Sequence, residues 1–405
     1  MNNGGLRRKA EEYLHTLCGV EPNRRTGSEG NRNASDYAAQ ILGQFGFRID
    51  TTPFFCLDYI RGDAVFSSGS ETFEIYSSPY SLGCNVTSEV VIASDIDELE
   101  SLTCRKSILL LKDEICGEQL MPKNFVFYNP EDHKKIYALL EKKQPAAVIT
   151  ATSKNPDAVG ALYPYPLIVD GDFDIPSAYC TDTAGGKIAG RAVEGAFFSL
   201  ELQGERIQTT GSNVIARKNP SAEKKVVITA HIDAYEDSPG ASDNASGTVV
   251  LLLLAELLAG YAGPLGIEIA AINGEDHYSA AGEMDYLQRY GAELEKILTV
   301  INIDDVGFVR GGTAYSLYEC SGQIQEAAEE VFTKYDGITA GEQWFSGDHM
   351  VFVQKDVPAI AFTAELLPEL MRTVTHTSRD TPDIVDCSKL VQLAYALEEM
   401  VYRLS

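Results

Sequence analysis

At 405 residues the chain is longer than one ordinary domain, and its formal charge of −26 comes from 59 acidic against 33 basic side chains. That balance excludes nucleic acid and anionic membrane surfaces as natural partners. With 44% hydrophobic and 23% charged residues the composition is that of a globular protein with a large core.

The opening stretch, MNNGGLRRKAEEYLHTL, has no apolar segment of signal-peptide length. Apolar positions then recur at helical spacing over 5–17 and 32–45, the latter through Tyr37, Ile41, Leu42 and Phe45. Between them RRTGSEGN (24–31) reads as a loop running into a helix start, and RIDTTPFF (48–55) as a strand. From 58 to 205 short β-like runs alternate with turn signals: EVVIAS, SILLLK, AAVIT, PLIV and FFSLEL. His15 and His133, in a helical stretch and a charged loop, are expected to be solvated.

From about residue 206 the pattern becomes strand, loop, helix, repeated. KKVVITA, GIEIAAI, LTVINI and PAIAFT are near-continuous apolar runs of strand length, separated by helical segments at 248–259, 281–296, 321–334 and 384–403. This predicts an α/β fold with a largely parallel sheet covered on both faces. The longest apolar run, 249–254, falls far short of a membrane span. Eight cysteines (Cys18, Cys56, Cys84, Cys104, Cys116, Cys180, Cys320, Cys387) are scattered without a CxxC pair. Reduced thiols and a cytoplasmic location are therefore expected.

In parallel sheets, ligands bind at the carboxyl ends of the strands. After VVITA come His231 and Asp233, and Asp243 lies just before the next helix. After IEIAAI come Glu275 and Asp276, after LTVI come Asp304 and Asp305, and downstream of PAIAFT comes His376. Each has a plainer reading alone: Asp243 as a helix N-cap, His231 as a satisfied core histidine, Asp304-Asp305 as turn chemistry. Together they form one rim of two imidazoles and several carboxylates, which repel one another unless cations neutralise them. That donor set suits a pair of divalent ions, zinc foremost, with Glu275 left over as a base.

The motifs HIDAYEDSPGASDNASG (231–247), NGEDHYSAAGEMDYL (273–287), INIDDVG (301–307), SGDHMVF with VPAI, and HTSRDTPD (376–383) resemble those of one family. It is the two-zinc aminopeptidase family that also contains glutamate carboxypeptidase II, glutaminyl cyclase and the transferrin receptor. The likeness covers RRTGSEGN and essentially all of 206–405. It implies the three-layer α/β/α zinc-exopeptidase fold with a mostly parallel mixed sheet, formed by 1–57 and 206–405. It also implies that Asp243 bridges two metals, with His231 and Asp304 completing one site and Asp276 and His376 the other. Glu275 would be general base and acid, and Asp233 would fix the His231 tautomer from behind. A cis peptide at Asp243-Asn244 is a further family feature.

Two positions depart from the family pattern. Two glutamates commonly stand where this chain has Glu275-Asp276, and a tyrosine often precedes the last histidine where this chain has Thr375. His277 and Asp305 are expected to point away from the site. Asp348-His349 matches the family's SDH segment, and is expected either to support the site from behind or to cap a helix.

Residues 58–205 resemble a β-rich protease-associated domain, through CRKSILLLK, EKKQPAAVIT and DIPSAYC. Such an insert would lid the cleft and select substrates, or serve structure alone. The resemblance as a whole implies a zinc metallopeptidase with two divalent ions and peptide substrates, an aminopeptidase rather than the alternatives. Those are a carboxypeptidase, which needs a basic cluster where only Arg310, Arg372 and Arg379 stand near the motifs, and a silent peptide-binding relative.

Overall fold

The computed structural model describes residues 3–154 and 159–405. The chain divides into two compact units: Met1–Cys56 with Thr210–Ser405, and Leu57–Thr209. It leaves the first unit within a long strand, β1 (Arg48–Ser68), and returns within another, β8 (Phe197–Lys218).

The first unit is built on β8, β9 (Lys225–His231), β10 (Gly266–Ile272), β11 (Ile297–Ile303), β12 (Thr313–Tyr318), β13 (Ile338–Ala340) and β14 (Ala359–Ala364), in the order β13-β12-β14-β11-β9-β10-β8. The central four, β14, β11, β9 and β10, run parallel, while β12 and β8 pair antiparallel to β14 and β10. The four apolar runs singled out in the sequence form this parallel centre. Both faces of these strands are buried, which is why they carry unbroken apolar sequence.

One face of the sheet presents Ile228, Ala230, Ile269 and Ile301 to a core shared with the helices Asn3–Cys18, Gly247–Leu257 and Cys387–Leu404. The other face is covered by Ala281–Tyr290 and His349–Val353, where Tyr286 meets Phe352 edge to face. The result is a three-layer α/β/α arrangement. The stretch 241–260 has the length and hydropathy of a membrane span, but 78% of it is buried inside the protein, so the core already uses its apolar surface.

Three elements differ from the sequence expectations. TAYSLY forms β12, whose alternation of small and aromatic residues gives no clear period. PLIV is buried but forms no strand, since Pro164 and Pro166 lack ladder donors. His133 is not solvated: it lies in the helix Glu131–Lys143, buried, with Nδ1 accepting from the Met121 N–H at 3.0 Å. The apolar sequence around it, HKKIYALL, closes that helix over the sheet of its unit, and the ring faces inward. His15 is exposed on its helix.

The second unit carries its own sheet, with β4 (Cys84–Ala93), β5 (Ile108–Leu111), β6 (Ala147–Thr152) and β7 (Ser177–Thr181) parallel to one another. Alternate residues of β5 feed two apolar clusters. Leu109 and Leu111 pack with Ile136 and Leu140 of one helix, and Ile108 and Leu110 with Ile188 of Asp182–Val193.

Candidate metal centre

The sheet order explains how residues far apart in sequence meet. His231 ends β9, the middle strand. Glu275 and Asp276 follow β10 on one side, and Asp304 follows β11 on the other; the register pairs Ile272 with His231. His376 arrives from beyond β14, on the turn that follows the helix Leu367–Thr373.

Asp243 lies between the two halves. Its Oδ1 is 3.1 Å from His231 Nε2, which is 3.4 Å from Asp304 Oδ1. Its Oδ2 is 3.2 Å from His376 Nε2, which is 3.1 Å from Asp276 Oδ1. Two histidine–carboxylate tripods thus share one aspartate, each with its ligand atoms within 4.8 Å of one another. A third grouping of the same kind joins His231, Asp276 and Glu275. His277 and Asp305 belong to none of these groups. His277 Nδ1 faces the Ser279 hydroxyl at 2.9 Å, and Asp305 accepts from Ser242 Oγ at 2.7 Å.

The turn carrying Asp243 is held from four directions. Asp380 accepts the N–H groups of Ser242 and Asp243 at 2.7 and 3.1 Å. Asn244 donates to the Ile303 carbonyl at 2.8 Å and accepts from the Gly247 N–H at 2.9 Å, tying the turn to the end of β11. A Cβ on Gly247 would come within 2.4 Å of that same Ile303 carbonyl, so the close approach requires glycine. Ser246 Oγ donates to Ser242 O, and the peptide between Asp243 and Asn244 is cis.

The N-terminal loop supplies the remaining support, and Arg24 is its anchor. It donates to the carbonyls of Ile232 (2.7 Å), Leu17 (2.9 Å), Pro239 (3.0 Å) and Gly240 (2.6 Å) from a buried position. Asp233 Oδ1 stands 3.5 Å from His231 Nδ1, and its Oδ2 accepts from Thr26 Oγ1. Nothing in the sequence marks Arg24, Thr26 and Asp380 as site residues. They lie in the motifs RRTGSEGN and HTSRDTPD, but Gly240, Asp233 and Asp243, which they bind, lie 137 to 216 positions away.

The electrostatics describe a cluster that attracts positive charge. Burial opposes charging of His231 and His376, yet Asp304 beside the first and Asp276 beside the second hold both well above the ordinary imidazole value. Burial also works against ionised Asp243, but the His231 and His376 imidazoles, 3.1 and 3.2 Å from its oxygens, keep it below the usual carboxylate range. Glu275 is pushed far up by burial, with Asp276, Asp304 and Asp243 adding and His231 opposing. Buried polar atoms at the centre still lack hydrogen-bond partners: both nitrogens of His231, Asp276 Oδ2 and Asp304 Oδ1. Imidazole and carboxylate donors left unsatisfied in this way fit divalent ions, and the nitrogen–oxygen mixture suits zinc.

Thr375, where the family often has tyrosine, is buried, and its hydroxyl has no hydrogen-bond partner. Asp348 makes no cap hydrogen bond at the helix His349–Val353, which excludes the capping reading. It is buried near Glu283; burial, then that neighbour, pushes its carboxyl well above the usual range.

A three-layer sheet thus carries, at its strand ends, two histidine–carboxylate tripods that share Asp243 and could each hold a metal ion. Residues 213–401, just under half of the chain, match the model of Peptidase family M28. It is 23% identical over 293 residues to Probable lipoprotein aminopeptidase LpqL of Mycobacterium tuberculosis, covering 69% of this chain and 54% of that protein. It is 27% identical over 204 residues to aminopeptidase YwaD of Bacillus subtilis, covering 48% and 44%. The chain thus spans about half the length of these curated relatives. Among solved structures, a zinc aminopeptidase from Bacillus subtilis superposes with a TM-score of 0.75 at 18% identity, over 98% of this chain and 94% of the other. An aminopeptidase from Aneurinibacillus sp. strain AM-1 gives 0.74 at 20%, over 98% and 93%. At these identities the structures establish a shared fold.

Proposed function

We propose that the protein is a zinc-dependent aminopeptidase that binds two ions through His231, Asp243, Asp276, Asp304 and His376. The observation that carries this reading is the division of Asp243, one oxygen toward His231 and Asp304 and the other toward His376 and Asp276. A zinc pair, when bound, supplies Lewis acidity that makes water nucleophilic at neutral pH and polarises a peptide carbonyl. The chain's own residues handle the proton. Glu275, whose raised affinity comes first from burial, accepts it from water and returns it to the leaving amine. Asp233 keeps the proton of His231 on Nδ1, so that Nε2 faces the ion. The aminopeptidase reading is supported by the named relatives and by the acidity of the chain, which suits a free ammonium better than a carboxylate. Arg310 is paired with Glu369, which lessens its value for holding a substrate carboxylate.

The test is hydrolysis of aminoacyl and N-blocked substrates by the zinc-loaded chain, with Glu275→Gln alongside. Free-amine substrates should be cleaved, and the variant should keep two ions while losing nearly all turnover. Cleavage confined to N-blocked substrates would overturn the aminopeptidase reading, and an active Glu275→Gln would overturn the role of Glu275.

The unit Leu57–Thr209 is further read as a protease-associated-like insert, supported by the CRKSILLLK and EKKQPAAVIT segments, which form β5 and β6 of its parallel sheet. A cytoplasmic location is supported by eight cysteines that are all free. Fractionation of cells producing the full chain would test it.

A further inference from the structure

The two histidines of the centre are supported by different means. His231 extends from a strand end, with Asp233 behind its ring. His376 extends from a turn, at φ +63°, in the left-handed region that few non-glycine residues adopt. What lies behind its imidazole is an aromatic ring. The ring of Tyr235 stacks on it, with centroids 4.6 Å apart and planes 13° from parallel.

Tyr235 is itself rigidly placed. Three residues before it, the Ile232 carbonyl accepts from buried Arg24, which also binds the carbonyls of Pro239 and Gly240. One residue after it, Glu236 pairs with Arg25 at 2.9 Å, both side chains only 11% exposed. The segment is therefore pinned on both sides of the tyrosine by consecutive arginines of the N-terminal loop.

The geometry points to Tyr235 as a positioning residue that fixes the His376 imidazole, and with it the ion site that His376 forms with Asp276 and Asp243. This inference rests on the two-ion reading above. The ring matters here because His376 extends from a turn and not from a strand end. Asp276 is one methylene shorter than the glutamate common in the family, so its carboxylate has a shorter reach. The imidazole must hold its angle without a strand beneath it. A flat ring stacked on an imidazole restricts χ2 rotation while leaving Nε2 free to face Asp243 and Asp276. The stacked ring face is the part of Tyr235 that this role uses, and Tyr235→Phe keeps it.

The experiment compares wild type, Tyr235→Phe and Tyr235→Leu by zinc per chain and by competition with a zinc-binding dye, with thermal unfolding in chelator as a check on folding. Wild type and Tyr235→Phe should each hold two ions with dissociation constants within about twofold. Tyr235→Leu should keep one ion at wild-type affinity and bind the other about tenfold more weakly, the range expected for groups that orient a ligand. Its lost turnover should return on raising free zinc. If Tyr235→Leu holds both ions as tightly as wild type, the positioning role is overturned while the two-ion reading stands. If Tyr235→Phe behaves like Tyr235→Leu, the oxygen matters and the ring-face role fails. A wild-type chain that binds fewer than two ions overturns the metal centre and this role together.

Discussion

The hydroxyl of Thr26 donates a 2.7 Å hydrogen bond to Oδ2 of Asp233, across 207 positions of sequence. Because Oδ1 of the same carboxylate faces His231 Nδ1, the N-terminal loop sets the orientation of an imidazole at the centre of the sheet. Burial alone would raise the Asp233 carboxyl, yet the His231 ring 3.5 Å away and the hydrogen bond from Thr26 hold it below its ordinary value. It is therefore an ionised acceptor that favours the Nδ1–H tautomer.

Thr26→Val tests this link, since it keeps the shape and removes the donor. Leaving a buried carboxylate oxygen without that partner should destabilise the metal-free protein by roughly 1–3 kcal/mol in urea unfolding. Zinc affinity should also fall, by about 10- to 100-fold, as for other residues that orient metal ligands. Unchanged zinc affinity in a destabilised variant would confine Thr26 to a structural role.

The shared aspartate predicts an asymmetry in stoichiometry. Asp243→Asn removes charge from both tripods at once, so zinc per purified chain should fall from two toward zero. Asp304→Asn touches only the tripod of His231 and should leave about one ion bound. Equal losses from the two variants would contradict a division of Asp243 between two ions.

Much of this centre was legible in the sequence because each proposed ligand sits just past an apolar run or in a dense motif. A run such as VVITA states both that a strand is buried and where it ends, and His231 follows at once. The five proposed ligands and Glu275 could be read that way. Arg24 and Asp380 could not, because their function is to bind backbone groups, and backbone groups leave no mark on the sequence at the far position. His133 departs from expectation for a related reason: its charged neighbours suggest a solvated loop, whereas Ile136, Tyr137 and Leu140 bury that side of the helix. The strand β12 is not legible in the sequence because Ala314 and Ser316 carry little of the apolar signal that marks its neighbours.

In the metal-free protein the raised affinities of His231 and His376 have a pH signature. A group whose folded value lies above its unfolded one stabilises fully below the unfolded value, near 6.5 for histidine, and loses that contribution as pH rises through the folded value. Glu275, also raised, acts in the same direction. With chelator present, Tm should therefore fall as pH rises above about 7. Zinc needs the imidazoles deprotonated, so its affinity should rise over the same range, and the zinc-loaded protein should not share the decline. Calorimetry from pH 6 to 9, with zinc and with chelator, checks both halves.

His349 gives the opposite sign at lower pH. Its ring is buried between Tyr318 and Trp344, at 4.7 and 4.5 Å, with Nε2 3.1 Å from the Trp344 carbonyl. Burial pulls it down to about 4, and the hydrogen bond to that carbonyl only partly resists. The carbonyl accepts from Nε2–H, so the neutral ring is already satisfied there, and a second proton would have to go on buried Nδ1, 3.4 Å from the Asn302 amide nitrogen. A histidine depressed in the folded state contributes stability that is complete above about 6.5 and is lost as pH falls toward 4. With the folded value near 4, this group alone should remove about 3 kcal/mol over that window. His349→Gln keeps a donor for the Trp344 carbonyl and cannot titrate. It should be less stable than wild type at pH 7 through poorer packing, yet lose less stability between pH 6.5 and 4. Parallel urea denaturation series at those two pH values read the difference directly. The same slope in both proteins would show that another group governs acid sensitivity in this window.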